Sequence, residues 1–542
     1  MKFYEAVPEL LRRAEVGHVF ALLGAMNVVF AAEGVRRGDF ELVNMRHEEA
    51  AVAGATAYAR STGRLGVATV TRGPGFANAI NAMIGAEKSH VPVMLIVGES
   101  PTSTGRDEYS FSEQQIPQRE LSQVIGAGFH HVARPEELED AFWSAVTEAW
   151  RFGTPQVLSL SNKLNDTEVT LSDVVPARPA EPEVDMDAVR AVVDLLERTE
   201  RPVILAGQGA VLSQAHAPLV ELAELIGARL TTSLRAHRFF AGHPHDLGLS
   251  GTWAAPAVRD VLAETDVLLA FGASMNPKTT YGDAMFGSAR IVHCEIDVDS
   301  EVRASSPELA LLGSARSVAE ALVAEWRSRG HEPRPVVGTP SPTREERVAS
   351  ILKADLDHDP TRGLDVRRVA VAIDALLPED RVVLTDSGRT VSTTAGLVEA
   401  RDARSWLTGR SYGSIGLGVA TAIGAAFGHP DRPVVLLAGD AGFMMGISGL
   451  DTIRYYGLDV TIVILNDEQL GSERRYLGKF GLPMDVITHE LPDIPALAAA
   501  FGGHGTVVRT EEDLANLELP LKGLHLIDAR LDPSVDGNAA YA

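Results

Sequence analysis

Residues 433–471 read PVVLLAGDAGFMMGISGLDTIRYYGLDVTIVILNDEQLG. The stretch opens on one apolar run, PVVLLA, and closes near a second, VTIVIL. Both have the length and composition of strands buried on two faces. From Phe443 to about Tyr456, the residues Ile447, Leu450, Ile453 and Tyr456 form roughly a helical stripe. Strand, helix, strand is one βαβ unit, whose crossover sets the two strands parallel and adjacent or nearly so. An acid follows each strand, Asp440 and Asp467. In a parallel sheet both emerge at one edge, beyond the carboxyl ends of the strands, where ligands of such sheets sit. Two carboxylates there suit a small hard cation such as Mg²⁺. Gly439, Gly442 and Gly446 let the backbone approach closely, and the helix start offers N–H groups to an anion. A helix cap at Asp440 and a turn acid at Asp467 would account for the same residues.

The alternation continues along the chain. DVVPARPAEPEVD at 173–185 and GHEPRPVVGTPSPTREE at 330–346 are too rich in proline to continue helices or central strands, and read as linkers. They leave three blocks, 1–172, 186–329 and 347–542. The first holds LGVATVT and VPVMLIVG; the second PVILAGQGA, DVLLAFGAS and RIVHCEID; the third RVVLTDSG, PVVLLAGD, VTIVILND and LHLIDARL. The pattern predicts an α/β protein of three doubly wound parallel-sheet domains.

A net charge of −24 argues against a nucleic-acid partner. It also means that an anionic ligand needs local positive charge, a metal or helix N-termini. Cys294, in the strand-like IVHCEID, reads as a buried core thiol. A single cysteine excludes an internal disulfide and fits a reducing compartment. No apolar run reaches membrane-spanning length. The N-terminal residues read as an amphipathic helix rather than a signal peptide, so a cytoplasmic location is expected.

In the first block, MRHEEAAVAGATAYARSTG starts at Met45. Glu48 and Glu49 open a helix of alanines and glycines that must pack closely against a neighbour. A carboxylate at its start is expected to be buried, and a first-turn acid is also favourable there for the helix dipole. TRGPGFAN follows at 71–78, a Gly-Pro-Gly turn opening another helix. In the third block lies GRSYGSIGLGVATAIGAAFG, 409–428. Its Gly409–Gly413 segment fits the G-x-S-x-G elbow of serine hydrolases, but ARSWLT is a poor preceding strand and no histidine partner is evident.

These three regions together resemble the thiamine diphosphate enzymes of the acetolactate synthase, pyruvate decarboxylase and benzaldehyde lyase group, over essentially the whole chain. The resemblance implies a pyrimidine-binding domain at 1–172, a central Rossmann-like domain at 186–329 and a diphosphate-binding domain at 347–542. It implies that Glu48 is the catalytic glutamate on the cofactor pyrimidine, with Thr71, Pro74 and Asn78 around it. It implies that Asp440, Asp467 and the Gln469 carbonyl hold Mg²⁺. Gly388, Gly413, Gly439, Ala441, Gly442, Leu470 and Gly471 would line the cofactor, with Ile415 beneath its two rings. The chain departs from the family's motif twice: Ala441 stands for glycine and Asp467 for asparagine. The second change adds a negative charge, which should tighten the metal and disfavour the diphosphate slightly. FAD is possible in the central domain, but only a lone Gly207-x-Gly209 speaks for it. Because Glu48 and the Asp pair lie on different domains, the resemblance implies an active site shared between subunits of a homodimer or homotetramer.

Several positions bear on the reaction. Ala25 and Met26 are apolar where simple decarboxylases and benzaldehyde lyases carry polar groups. In DEYSFSEQQIPQREL, 107–121, Gln114 matches the active-site glutamine of the acetolactate synthases and benzaldehyde lyases. Glu473 lies where pyruvate decarboxylases place a proton-relay glutamate. Arg474 and Arg475 could neutralise a substrate carboxylate or belong to a solvated helix face. His130 and His131 belong to a strand or turn. The implied activity is a carboligase or decarboxylase of 2-oxo acids, working through a ylide and an enamine, acetolactate-synthase-like in architecture. The alternatives are a lyase of 2-hydroxy ketones and a catalytically silent regulatory homologue. The substrate stays open, because several loops and the tail DPSVDGNAAYA shape the pocket.

Overall fold

The computed structural model describes residues 1–99, 114–296, 307–353, 358–519 and 522–535. Three parallel six-stranded sheets follow one another along the chain, each interleaved with helices. This is the α/β architecture expected. Numbered within each unit, the first and third sheets share the order 2-1-3-4-6-5, and the central sheet has 3-2-1-4-5-6. The central order is that of dinucleotide-binding folds.

In the third sheet, Val434–Gly439 pairs in parallel with Val460–Asn466, Val434 opposite Val460 and Gly439 opposite Leu465. The two strands are therefore adjacent, and Asp440 and Asp467 leave the same edge. The connection is not one helix but two, Asp440–Met445 and Gly449–Tyr456. The break follows from packing: a Cβ on Gly446 would lie 2.9 Å from the Gly416 carbonyl oxygen. The turn below the site needs that space.

The small-residue helix Glu48–Thr62 packs on Gly418–Gly428 of the third unit. The backbones nearly touch, since a Cβ on Gly424 would lie 2.0 Å from the Gly54 carbonyl oxygen. Polar contacts flank this crossing. The Asn44 N–H donates to Tyr456 Oη at 2.8 Å, and Arg46 pairs with Asp451 at 2.6 Å. One apolar core runs from the first unit into the third, and another from the central unit into the third.

Residues 173–185 carry no regular element, whereas Thr343 caps a helix, Arg344–Leu352, at the end of the second proline-rich stretch. That helix leans on the central unit, Arg347 Nη1 donating to the Asp246 carbonyl at 2.8 Å. His130 and His131 lie in the strand Gly128–Val132. Cys294 is buried in a strand of the central sheet, and burial pushes its thiol pKa up, as befits an inert core residue. Among the described residues no helix is long and apolar enough to cross a membrane.

Candidate active site

The strand order of the third sheet reverses between its first strand, Val382–Thr385, and the parallel Val434–Gly439. A crevice opens at such a switch point. Here it is a cavity of about 380 Å³. Its walls include Gly388, Gly413, Ile415, Gly439, Asp440, Ala441, Gly442, Asp467, Gln469, Leu470, Gly471 and Glu473, so these twelve residues picked from the sequence share one space.

Gly388 and Gly413 have φ of 87° and 100°, a region that suits glycine. Ile415 faces Gly388, its Cγ2 3.5 Å from where a Gly388 Cβ would stand. The turn carrying Ile415 is tied down by Asp386, a residue the sequence reading passed over. Asp386 accepts the Ser387 N–H at 2.7 Å and the Gly416 N–H at 3.1 Å. It is fully buried, and burial raises its pKa to about 6.

Asp440 and Asp467 are 2 % and 9 % exposed. Oδ1 of Asp440 accepts the Ala441 N–H at 2.7 Å, and Oδ2 is buried without a hydrogen-bond partner. Burial, then the Asp467 charge, raise Asp440 to about 6. Burial also raises Asp467, against the pull of Arg389. Arg389 donates one nitrogen to Asp467 Oδ2 and the other to the Val535 carbonyl. His489 Nε2 lies 3.5 Å from Asp440 Oδ2. Neither Arg389 nor His489 was picked from the sequence. A cation following Gly388 at a strand end was the available signal for Arg389; His489 gave none.

An orphaned carboxylate oxygen beside a second buried carboxylate fits a small divalent cation. Among the described residues no three His, Cys, Asp or Glu side chains converge, so the pair would need backbone, water or ligand oxygens to complete a shell. The helix that begins at Asp440, with Gly439 as its cap, is only six residues long, and so offers an anion less than expected.

The first unit gathers its own cluster. His47 caps the helix by accepting the Glu49 N–H at 3.2 Å. Asn78 Nδ2 donates to Glu48 Oε2 at 3.0 Å, and a Cβ on Gly75 would meet Thr71 Cγ2 at 2.9 Å. Pro74 starts the helix Pro74–Ser89, where its missing N–H costs nothing. Gln114 is exposed and reaches this turn: Arg72 Nε donates to its Oε1 at 3.4 Å. Residues 107–113 lie outside the described residues, as do 536–542 of the tail.

Glu48 is half-buried rather than enclosed. Its helix seals the face toward the third unit with alanine and glycine, and leaves the end carrying Glu48 open. The cluster of Glu48, Thr71, Pro74, Asn78 and Gln114 does not reach the cavity of the same chain, whose described walls begin at Val366. One bridge joins the units nearby, Ser414 Oγ donating to Asn81 Oδ1 at 2.6 Å.

The serine elbow is absent. Ser411 ends a short 3₁₀ turn after the strand Trp406–Thr408, and no histidine bonds to it among the described residues. Gly207 and Gly209 serve packing: a Cβ on either would lie 2.1 Å or 2.8 Å from the backbone of Gly272. Their presence therefore does not call for FAD.

The fold and these two clusters define a cofactor-binding α/β enzyme built from three units, and the comparisons say of which kind. The chain belongs to the thiamine pyrophosphate enzyme family: residues 1–124 match its N-terminal TPP binding domain, 189–322 its central domain and 386–520 its C-terminal TPP binding domain. Thiamine diphosphate is thus its cofactor. The acetolactate synthase large subunit of Parasynechococcus marenigrum (strain WH8102) is 30% identical over 95% of this chain and 84% of its own length. The probable 2-ketoarginine decarboxylase of Pseudomonas aeruginosa is 28% identical over 97% and 93%. The thiamine diphosphate-dependent 4-hydroxybenzoylformate decarboxylase of Rhodococcus jostii RHA1 shares the fold, with a TM-score of 0.80 at 22% identity, covering 98% of this chain and 99% of that one.

Proposed function

We propose that this protein is a Mg²⁺-requiring carboligase or decarboxylase of 2-oxo acids, acting as a homodimer or homotetramer. The observation that carries the reading is the buried Asp440–Asp467 pair with its orphaned oxygen, at the switch point of the diphosphate-side sheet. Relatives named as an acetolactate synthase and as a 2-ketoarginine decarboxylase support the substrate class.

Bound thiamine diphosphate supplies a carbon that adds to a carbonyl and takes up the electron pair when a carbon–carbon bond breaks. The chain's residues do the rest. Asp440, Asp467 and the Gln469 carbonyl would hold the metal, whose further ligands would have to be oxygens from outside these side chains. Ile415 and the glycines opposite it would hold the two rings. Glu48, to which Asn78 donates, would keep a proton on a nitrogen of the aminopyrimidine. Gln114 would hold the second carbonyl substrate, which favours ligation. Glu473, on the cavity wall, would deliver a proton to the product carbon, which favours decarboxylation. Arg474 donates to Gln469 Oε1 at 3.3 Å and so helps fix the loop rather than facing solvent freely.

The test is calorimetric binding of thiamine diphosphate with and without Mg²⁺, then product mass analysis over a panel of 2-oxo acids with several aldehydes. Binding should need Mg²⁺, and at least one acid should release CO₂ or be joined to an aldehyde. Glu48→Gln should lose about 10²-fold or more in kcat while still binding cofactor. Cofactor binding indifferent to Mg²⁺, or full turnover by Glu48→Gln, would overturn the assignment.

A further inference from the structure

A second cavity, of about 80 Å³, lies where all three units meet. The helices Glu48–Thr62 and Pro74–Ser89 wall it on one side, Gln208 and Arg235 of the central unit on another, and third-unit residues from Leu407 to Thr421, without Arg410, Gly413 and Ile415, on the last. It is separate from the cavity holding the Asp pair, with which it shares no lining residue.

Two arginines line this space. Arg60 is 8 % exposed; it donates Nη2 to the Arg235 carbonyl, and its buried Nη1 has no partner. Arg235 forms no ion pair among the described residues, and Glu87, the acid whose field reaches it, is taken by Lys88 at 3.0 Å. No carboxylate lines the cavity among the described residues. A third guanidinium, Arg404, adds its field to Arg60 and also has a buried nitrogen without a partner. Burial and these neighbours lower Arg60 to about 9, and burial lowers Arg235 to about 10. Glu87 and Asp402 act on Arg235 and Arg404 from outside the cavity wall, so like charges gather around a void that no carboxylate lines, which is costly, and a buried guanidinium N–H without an acceptor is costly again.

The hydroxyls on the walls do not relieve this. Thr56 donates to the Val52 carbonyl and Ser89 to the Gly85 carbonyl. The Arg60 nitrogen thus stays without an acceptor from these two hydroxyls, and a compact anion would supply one.

We propose that this cavity binds one small oxyanion, a carboxylate or phosphoryl group, between Arg60 and Arg235 at the meeting of the three units. The planar fork of arginine suits both groups. A space of this size holds a few waters or one such group, whereas a drug-sized or dinucleotide ligand needs roughly 300 Å³ or more. Part of the wall is apolar, Ala53, Ala57 and Leu407, so a short carbon chain on the anion is tolerated. The ligand would bind residues of different units to one another and so stabilise their junction.

The experiment follows thermal unfolding of the full chain at constant ionic strength in a zwitterionic buffer. Inorganic phosphate is titrated in one arm and propionate in the other, each with and without saturating thiamine diphosphate and Mg²⁺. At least one probe should raise Tm saturably, as binding to the folded state alone must. The rise should persist with the cofactor bound, because the two cavities are separate. The tighter probe identifies the group. Arg235→Gln should abolish the response. Arg235→Lys keeps the charge but loses the fork, and should weaken binding about tenfold. No saturable rise with either probe, a rise equal in wild type and both variants, or a rise that vanishes once the cofactor is loaded would each overturn the proposal.

Discussion

Asp467 and Arg389 should be read together. The carboxylate that replaces the family's asparagine is held by a guanidinium in a nearly closed site, the two side chains 7 % and 14 % exposed. The extra negative charge is therefore met within the chain, which revises the expectation that it simply tightens the metal and repels the diphosphate. Removing only Arg389 leaves two buried carboxylates facing each other, so Arg389→Gln should cost about 3–5 kcal/mol in urea unfolding without cofactor. Asp467→Asn should rescue part of that loss, with a coupling of about 1–3 kcal/mol in the double-mutant cycle. Additive effects would mean that the pair is independent. His237 makes a second prediction at this scale. It is fully buried against Trp406, and burial, with Arg238 and Arg347 nearby, lowers its pKa to about 3. Between that value and its ordinary 6.5 the unfolded chain binds a proton that the folded chain does not. Stability is therefore lost as pH falls from about 6.5 toward 3, by up to about 5 kcal/mol from this group. Unfolding of wild type and His237→Phe from pH 7 to pH 4 should show the variant gaining relative to wild type as the solution becomes more acidic.

At the level of elements, the crossing of Glu48–Thr62 and Gly418–Gly428 depends on what glycine lacks. Gly424→Ala places a methyl where the Gly54 carbonyl sits, and should destabilise by about 1–3 kcal/mol in denaturant titration. A volume-neutral change on the exposed face of either helix should do nothing comparable. The composition of the first helix already announced a close neighbour, but not which one, because alanine and glycine record proximity without identity. The same limit shows elsewhere. The strands were legible as continuous Val, Ile and Leu runs, and the acids at their ends as punctuation. The break at Gly446 was not, since the apolar stripe from Phe443 to Tyr456 carries no mark of the turn it must clear. Asp386 was illegible too: an aspartate after a strand looks like any turn acid until Gly416 is seen to donate to it. Arg60 and Arg235 are far apart in sequence, and only the folded chain brings them to one cavity.

For the molecule as a whole, the two clusters proposed to form the cofactor site lie on the first and third units, and the cavity of the third unit has no first-unit residue among its described walls. If two copies complete each other, the defects of two inactive variants should be separable. Glu48→Gln and Asp440→Asn would each be inactive alone. Mixed in equal amounts and allowed to exchange subunits, they should recover about a quarter of wild-type activity, since a mixed dimer rebuilds one intact site of its two. A mixture that stays inactive under proven exchange would place both halves of the site in one chain. The two units that carry these halves have the same strand order, and the helices that cross at Gly54 and Gly424 occupy the same place in each, between the second and third strands. Each thus meets its own counterpart, as equivalent surfaces do across a two-fold axis. A single chain is in this sense already a pair of like parts, held face to face where Gly424 meets Gly54.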